Sequence, residues 1–158
     1  ITYIASLFSV SPHLSSLSAH APTLLGRINE ASTSDSTICR IKACDLLAHP
    51  LLINLPTRRH GFTSDDNDST DKIDSWYEMV RLVEDEEPGV RAAALRALGL
   101  KIKLNPSTDI NANQDQQERV MKVARICEKY CGKEDDEEIV KISASWSLAN
   151  CFDRFESR

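Results

Sequence analysis

Three stretches of the chain share one pattern of apolar and polar positions: Arg40-Ile41-Lys42-Ala43-Cys44-Asp45-Leu46-Leu47-Ala48, Arg91-Ala92-Ala93-Ala94-Leu95-Arg96-Ala97-Leu98-Gly99 and Lys141-Ile142-Ser143-Ala144-Ser145-Trp146-Ser147-Leu148-Ala149. Each reads basic, x, x, Ala, x, x, x, Leu, small, and they align without gaps. The basic residues lie 51 positions apart (40 to 91) and then 50 (91 to 141). Ala, Leu and a small residue at i, i+4 and i+5 fall on one stripe of a helix, and small residues on that stripe let a neighbouring helix come close. A spacing of this size is that of helix-pair repeats with an inserted loop, so each stretch is predicted to be the second helix of a pair.

A partner helix is expected upstream of each. The apolar stripes that mark it are Leu24, Leu25 and Ile28, then Trp76, Tyr77, Met79, Val80, Leu82 and Val83, then Val120, Val123, Ile126, Cys127 and Tyr130. Polar stretches from Thr57 to Lys72 and from Asn105 to Gln116 read as loops. Prolines close the units at Pro56 and Pro106, and Val10-Ser11-Pro12 repeats that ending. The pattern thus divides one segment into the tail of a preceding copy (1–12), a repeat (13–56), a loop plus repeat (57–106) and a loop plus repeat (107–158). An acidic turn precedes each second helix, with Asp35, Asp85 and Asp135 lying five, six and six positions ahead of Arg40, Arg91 and Lys141.

The string Glu84-Asp85-Glu86-Glu87-Pro88-Gly89-Val90-Arg91-Ala92-Ala93-Ala94-Leu95 resembles the turn and second helix of the HEAT-repeat family, whose mark is an Asp followed by Val-Arg and then Ala and Leu. Val140-Lys141-Ile142-Ser143-Ala144-Ser145-Trp146-Ser147-Leu148-Ala149-Asn150 is similar to a stretch of one branch of that family. The resemblance implies an all-α, HEAT/armadillo-like α-solenoid, a right-handed superhelix of antiparallel helix pairs, acting as a large scaffold without a cofactor. It also implies that Asp35, Asp85 and Asp135 cap their helices and bond Arg40, Arg91 and Lys141 of adjacent repeats, a ladder that fixes stacking. Two departures stand in the sequence: Lys141 replaces the usual Arg, and Ile38-Cys39-Arg40 replaces Val-Arg. Further repeats are expected to meet apolar faces at both ends, and the segment alone is expected to be marginally stable or self-associating.

Charge narrows the partners. A net charge of −5 opposes a dedicated phosphate-backbone binder, which needs clustered Lys and Arg to release counterions, although a local basic patch stays open. The acidic runs Glu84-Asp85-Glu86-Glu87 and Glu134-Asp135-Asp136-Glu137-Glu138 complement helix N-termini and also suit a basic segment of a partner protein. Five cysteines without a CxxC pair suggest reduced thiols and a cytoplasmic or nuclear setting. Cys127 and Cys131 share a helix face at i, i+4, but a structural zinc site uses tighter paired spacings, and no metal is expected. No apolar run approaches the roughly 20 residues of a membrane span.

No catalytic motif is present: the four histidines form no His-x-x-x-His pair, and there is neither a phosphate loop nor a Gly-x-Ser-x-Gly elbow. The sequence therefore points to binding rather than to catalysis. Asp45, Arg96 and Trp146 align, and a position that accepts Asp and Arg faces away from a core. Trp and Arg are enriched in binding hot spots, so Asp45, Arg96, Trp146 and, one turn on, Asn150 form a candidate partner surface. The competing reading packs Trp146 against a next repeat. Alternatives to a protein scaffold are a module of a nucleic-acid-associated complex and nuclear-transport-like cargo binding.

Overall fold

The computed structural model describes residues 14–49, 52, 75–104, 110–132 and 137–156. These form helices α1 (Leu14–Ser32), α2 (Thr37–Leu47), α3 (Ser75–Leu82), α4 (Pro88–Leu104), α5 (Ile110–Cys131) and α6 (Glu138–Glu156), with no strand among the described residues. The fold is all-α. Asp135, the prolines at 12, 56 and 106, the tail 1–12 and the stretch 57–72 lie outside the described residues.

Helices pack in chain order, α1 on α2, α3 on α4 and α5 on α6. The second member of each pair also packs on the next second member, so α2, α4 and α6 stand in a row with α4 in the middle. α4 is rich in Ala because it is enclosed: Val90, Ala92, Ala93, Ala94, Leu95, Ala97 and Leu98 are all buried. Side chains this small let backbones approach, while Leu95 and Leu98 each contribute on the order of 1.5–3 kcal/mol by leaving water. Pro88 opens α4 at a position where its missing N–H costs no hydrogen bond.

Register repeats in three dimensions. Ala43, Ala94 and Ala144 are each 0% exposed. The first intrahelical bonds match as well, with Arg40 N–H donating to Ser36 O at 3.1 Å, Arg91 to Glu87 at 3.1 Å and Lys141 to Glu137 at 3.2 Å. Arg40 and Arg91 fold back on their own turns in the same way. Arg40 Nη1 donates to Ser34 O (2.9 Å) and Asp35 O (3.2 Å), and Arg91 Nη1 to Asp85 O (3.0 Å) and Glu86 O (2.9 Å).

The predicted partner stripes form the cores of α1, α3 and α5, except that Tyr77 is 65% exposed. One boundary differs. Sequence analysis assigns Asn105 to Gln116 to a loop, yet α5 begins at Ile110. Residues 110–116 lack an apolar stripe, so periodicity gives no sign of a helix there, although Ala112, Gln114 and Gln116 are good helix formers.

Candidate interaction surface

Asp45, Arg96 and Trp146 are all exposed, on three helices that adjoin one another. Position by position, Ile38, Gly89 and Ile139 share a register at the helix starts, and Ile38 and Ile139 are also exposed. Asp45 is tied by an ion pair of 3.1 Å to Lys42. Arg96 makes no hydrogen bond or ion pair among the described residues. The row therefore presents an anion, an uncommitted cation and an indole in sequence.

Asn150 does not join it. Only 7% of Asn150 is exposed, and its Nδ2 finds no hydrogen-bond partner among the described residues. A four-residue step along a helix advances by about 40° beyond a full turn, enough to carry Asn150 past the rim on which Trp146 sits.

The acidic turn before α4 is occupied by a structural contact. Arg40 grips the Asp85 carboxylate with Nε at 2.9 Å and Nη2 at 3.0 Å, both side chains being 9% exposed. Hydrogen bonding to Asp85 raises the pKa of Arg40, so the guanidinium is held charged. Asp85 Oδ1 also accepts from Glu87 N–H at 3.0 Å. Asp35 plays no comparable part, since its side chain is exposed and only its carbonyl accepts from Arg40. Ser34 occupies the position of Asp85, accepting from Ser36 N–H at 3.2 Å, because it is Ser34 that stands six residues before the arginine. Lys141 is half-buried beside a turn that is only partly described.

The first helices are joined by equally specific contacts. Tyr130 OH donates to Val83 O at 2.9 Å, linking α5 to the end of α3. Arg81 Nη2 donates to Ser32 O at 3.1 Å and Ser32 Oγ at 3.3 Å, linking α3 to the end of α1.

α6 leaves four large apolar side chains open to solvent. Ile139, Ile142, Trp146 and Phe152 are exposed by 48%, 60%, 41% and 56%. Their counterparts in α4 include Ala92 and Ile102, which are buried. Trp146 thus belongs both to the row and to this apolar set.

The cysteines are free thiols. Burial pushes Cys44 and Cys127 up to about 12 and Cys151 up to about 11, which keeps them neutral and poor as nucleophiles or metal ligands. Among the described residues no group of His, Cys, Asp and Glu is arranged to hold a metal ion, and no helix is long and apolar enough to cross a membrane. Lys122 and Arg125 of α5 are two further exposed cations, and their signal in the sequence is the run of basic residues Arg119, Lys122, Arg125 and Lys129 at three- and four-residue steps. Comparison of the chain with protein families, curated proteins and solved structures finds no match.

Proposed function

We propose that this chain is a segment of a HEAT-repeat α-solenoid and that it serves, without catalysis, as a cytoplasmic or nuclear scaffold that binds other proteins across its row of second helices. The observation that carries the reading is the shared exposure of Asp45, Arg96 and Trp146 on adjoining helices whose equivalent alanines are wholly buried. A stacked array of this kind presents a continuous surface made of one position from each unit, and extended partners use such surfaces. The similarity of residues 140–150 to the Ala-Ser-Trp-Ser-Leu-Gly-Asn stretch of HEAT repeat-containing protein 6 supports the assignment. The exposed apolar side chains of α6 support it too, because a further helix pair stacked there would bury Ile142 and Phe152 as Ala92 and Ile102 are buried.

The test is affinity capture from cells of the wild-type chain, Arg96→Glu and Trp146→Ala, with quantitative comparison of what each retains. Arg96 is exposed and Trp146 is exposed by 41%, and far-UV circular dichroism checks that each variant keeps its helices. A common set of proteins lost from both variants supports the surface. Identical retention by all three chains refutes it, and retention of RNA-dependent material alone moves the reading to a nucleic-acid-associated module.

A further inference from the structure

The outer flank of α5 carries a charge pattern that the net balance of −5 conceals. Arg119, Lys122, Arg125 and Lys129 follow at steps of three, three and four residues, so they neighbour one another along the helix. Two of the four are committed. Lys129 Nζ is 2.9 Å from Glu84 Oε1, in the turn between α3 and α4, and the Arg119 guanidinium lies over the Trp76 ring, 5.5 Å from its centroid. Lys122 and Arg125 are exposed and make no hydrogen bond or ion pair among the described residues.

These two cations border an open cleft of about 800 Å³ between α5 and the α3–α4 turn, lined by Glu84, Met121, Lys122, Arg125, Ile126 and Lys129. Its apolar lining is Met121, 43% exposed, and Ile126, half-buried. Charge and shape coincide there: a concavity with apolar groups on its lining and two cations that make no ion pair among the described residues, with Glu118 beside them and the Glu84–Lys129 pair at one wall.

We propose that this cleft binds a short acidic segment of a partner protein, with carboxylates on Lys122 and Arg125 and an apolar side chain over Met121. Positions three apart on a helix are about 5–6 Å from one another, which matches carboxylates on near-neighbour residues of one segment. A polyanionic backbone fits less well. Strong phosphate-backbone binding rests on many neutralised phosphates rather than two. This surface belongs to α5, a first helix, and is independent of the row formed by α2, α4 and α6.

Calorimetric titration of the full chain with a synthetic peptide of repeated Glu-Glu-Leu tests the proposal, against a Gln-Gln-Leu peptide and a single-stranded oligouridylate. The acidic peptide is expected to bind, to weaken as salt rises, and to lose roughly tenfold or more in affinity in Lys122→Gln/Arg125→Gln and further in Lys122→Glu/Arg125→Glu. Arg27→Glu, which alters an exposed pair on α1, is expected to bind as the wild type does. Equal binding of the acidic and neutral peptides overturns the proposal, as does wild-type affinity in Lys122→Gln/Arg125→Gln. Tighter binding of the oligouridylate, lost in the same variants, also overturns it and gives the cleft to a phosphate backbone. Each of these results leaves the Arg96 and Trp146 comparison untouched.

Discussion

Ser147 of α6 occupies the space that a side chain on Gly99 of α4 would need. A Cβ added at Gly99 would lie 2.5 Å from Ser147 Oγ and 2.9 Å from its Cα, and in that gap Ser147 Oγ donates a 2.7 Å hydrogen bond to Leu95 O. Because one of the clashing atoms is backbone, rotating Ser147 away does not relieve it. Helix propensity alone favours Ala over Gly by about 1 kcal/mol, whereas overpacking a tight contact costs roughly 1–3 kcal/mol. Gly99→Ala is therefore expected to lower stability despite its better propensity, and a urea unfolding curve reads the sign. Ser147→Ala is expected to cost about 1 kcal/mol, since the carbonyl it abandons keeps a second lone pair for its helical bond.

The Arg40–Asp85 pair predicts a non-additive series. Removing one partner strands a largely desolvated charge, while replacing both with apolar residues removes the burden together with the bond. Arg40→Met and Asp85→Leu are each expected to lower Tm by roughly 10 °C, and the double variant by less than the larger single effect. Thermal melts of the four chains check this, and a double variant that sums the two singles would refute the coupling.

Stability is expected to fall at alkaline pH. In the unfolded chain thiols ionise from about pH 8.5. In the fold burial holds Cys44 and Cys127 up to about 12 and Cys151 up to about 11. The unfolded state sheds these protons first as pH rises, so the contribution of the buried thiols is intact below about pH 8.5 and is lost through the window above it. The Tm difference between pH 7 and pH 10 is expected to shrink when the three are replaced by Ala. At neutral pH a thiol reagent is expected to modify the half-buried Cys39 and Cys131 and to reach the other three only on unfolding.

The exposed apolar side chains of α6 are expected to drive self-association. Ile142 and Phe152 are exposed by 60% and 56%, beside Ile139 and Trp146, and an apolar patch of this kind marks an interaction site. Ile142→Glu/Phe152→Glu is expected to shift the chain toward monomer in sedimentation velocity without loss of helicity. Concentration-independent monomer in the wild type would refute the prediction.

The buried face of α2, α4 and α6 was legible because burial of a small residue leaves a trace in sequence: Ala43, Ala94 and Ala144 sit where a small side chain lets neighbouring helices meet. Exposure of Asp45, Arg96 and Trp146 was legible for the converse reason, that no core accepts Asp, Arg and Trp at one position. Asn150 was misread because a step of four residues looks like one face on paper and drifts across its edge in space. Asp35 differs from expectation because distance to the arginine, not acidity, sets the capping position, and Ser34 keeps that distance. The basic run holding Lys122 and Arg125 is visible in the sequence, but the cleft beside it is not, since its facing wall comes from Glu84, remote in sequence.

The chain has two tryptophans, and each stands by a different one of the two proposed surfaces: Trp76 beneath Arg119 near the α5 cleft, Trp146 on the rim of α6. Indole emission shifts with the polarity around the ring, and these rings differ in wetness. Trp76→Phe leaves a chromophore for the row alone, and Trp146→Phe one for the α5 flank alone. The molecule is therefore spectroscopically labelled at both places without an added dye, and occupancy of one can be followed optically while the other stays dark.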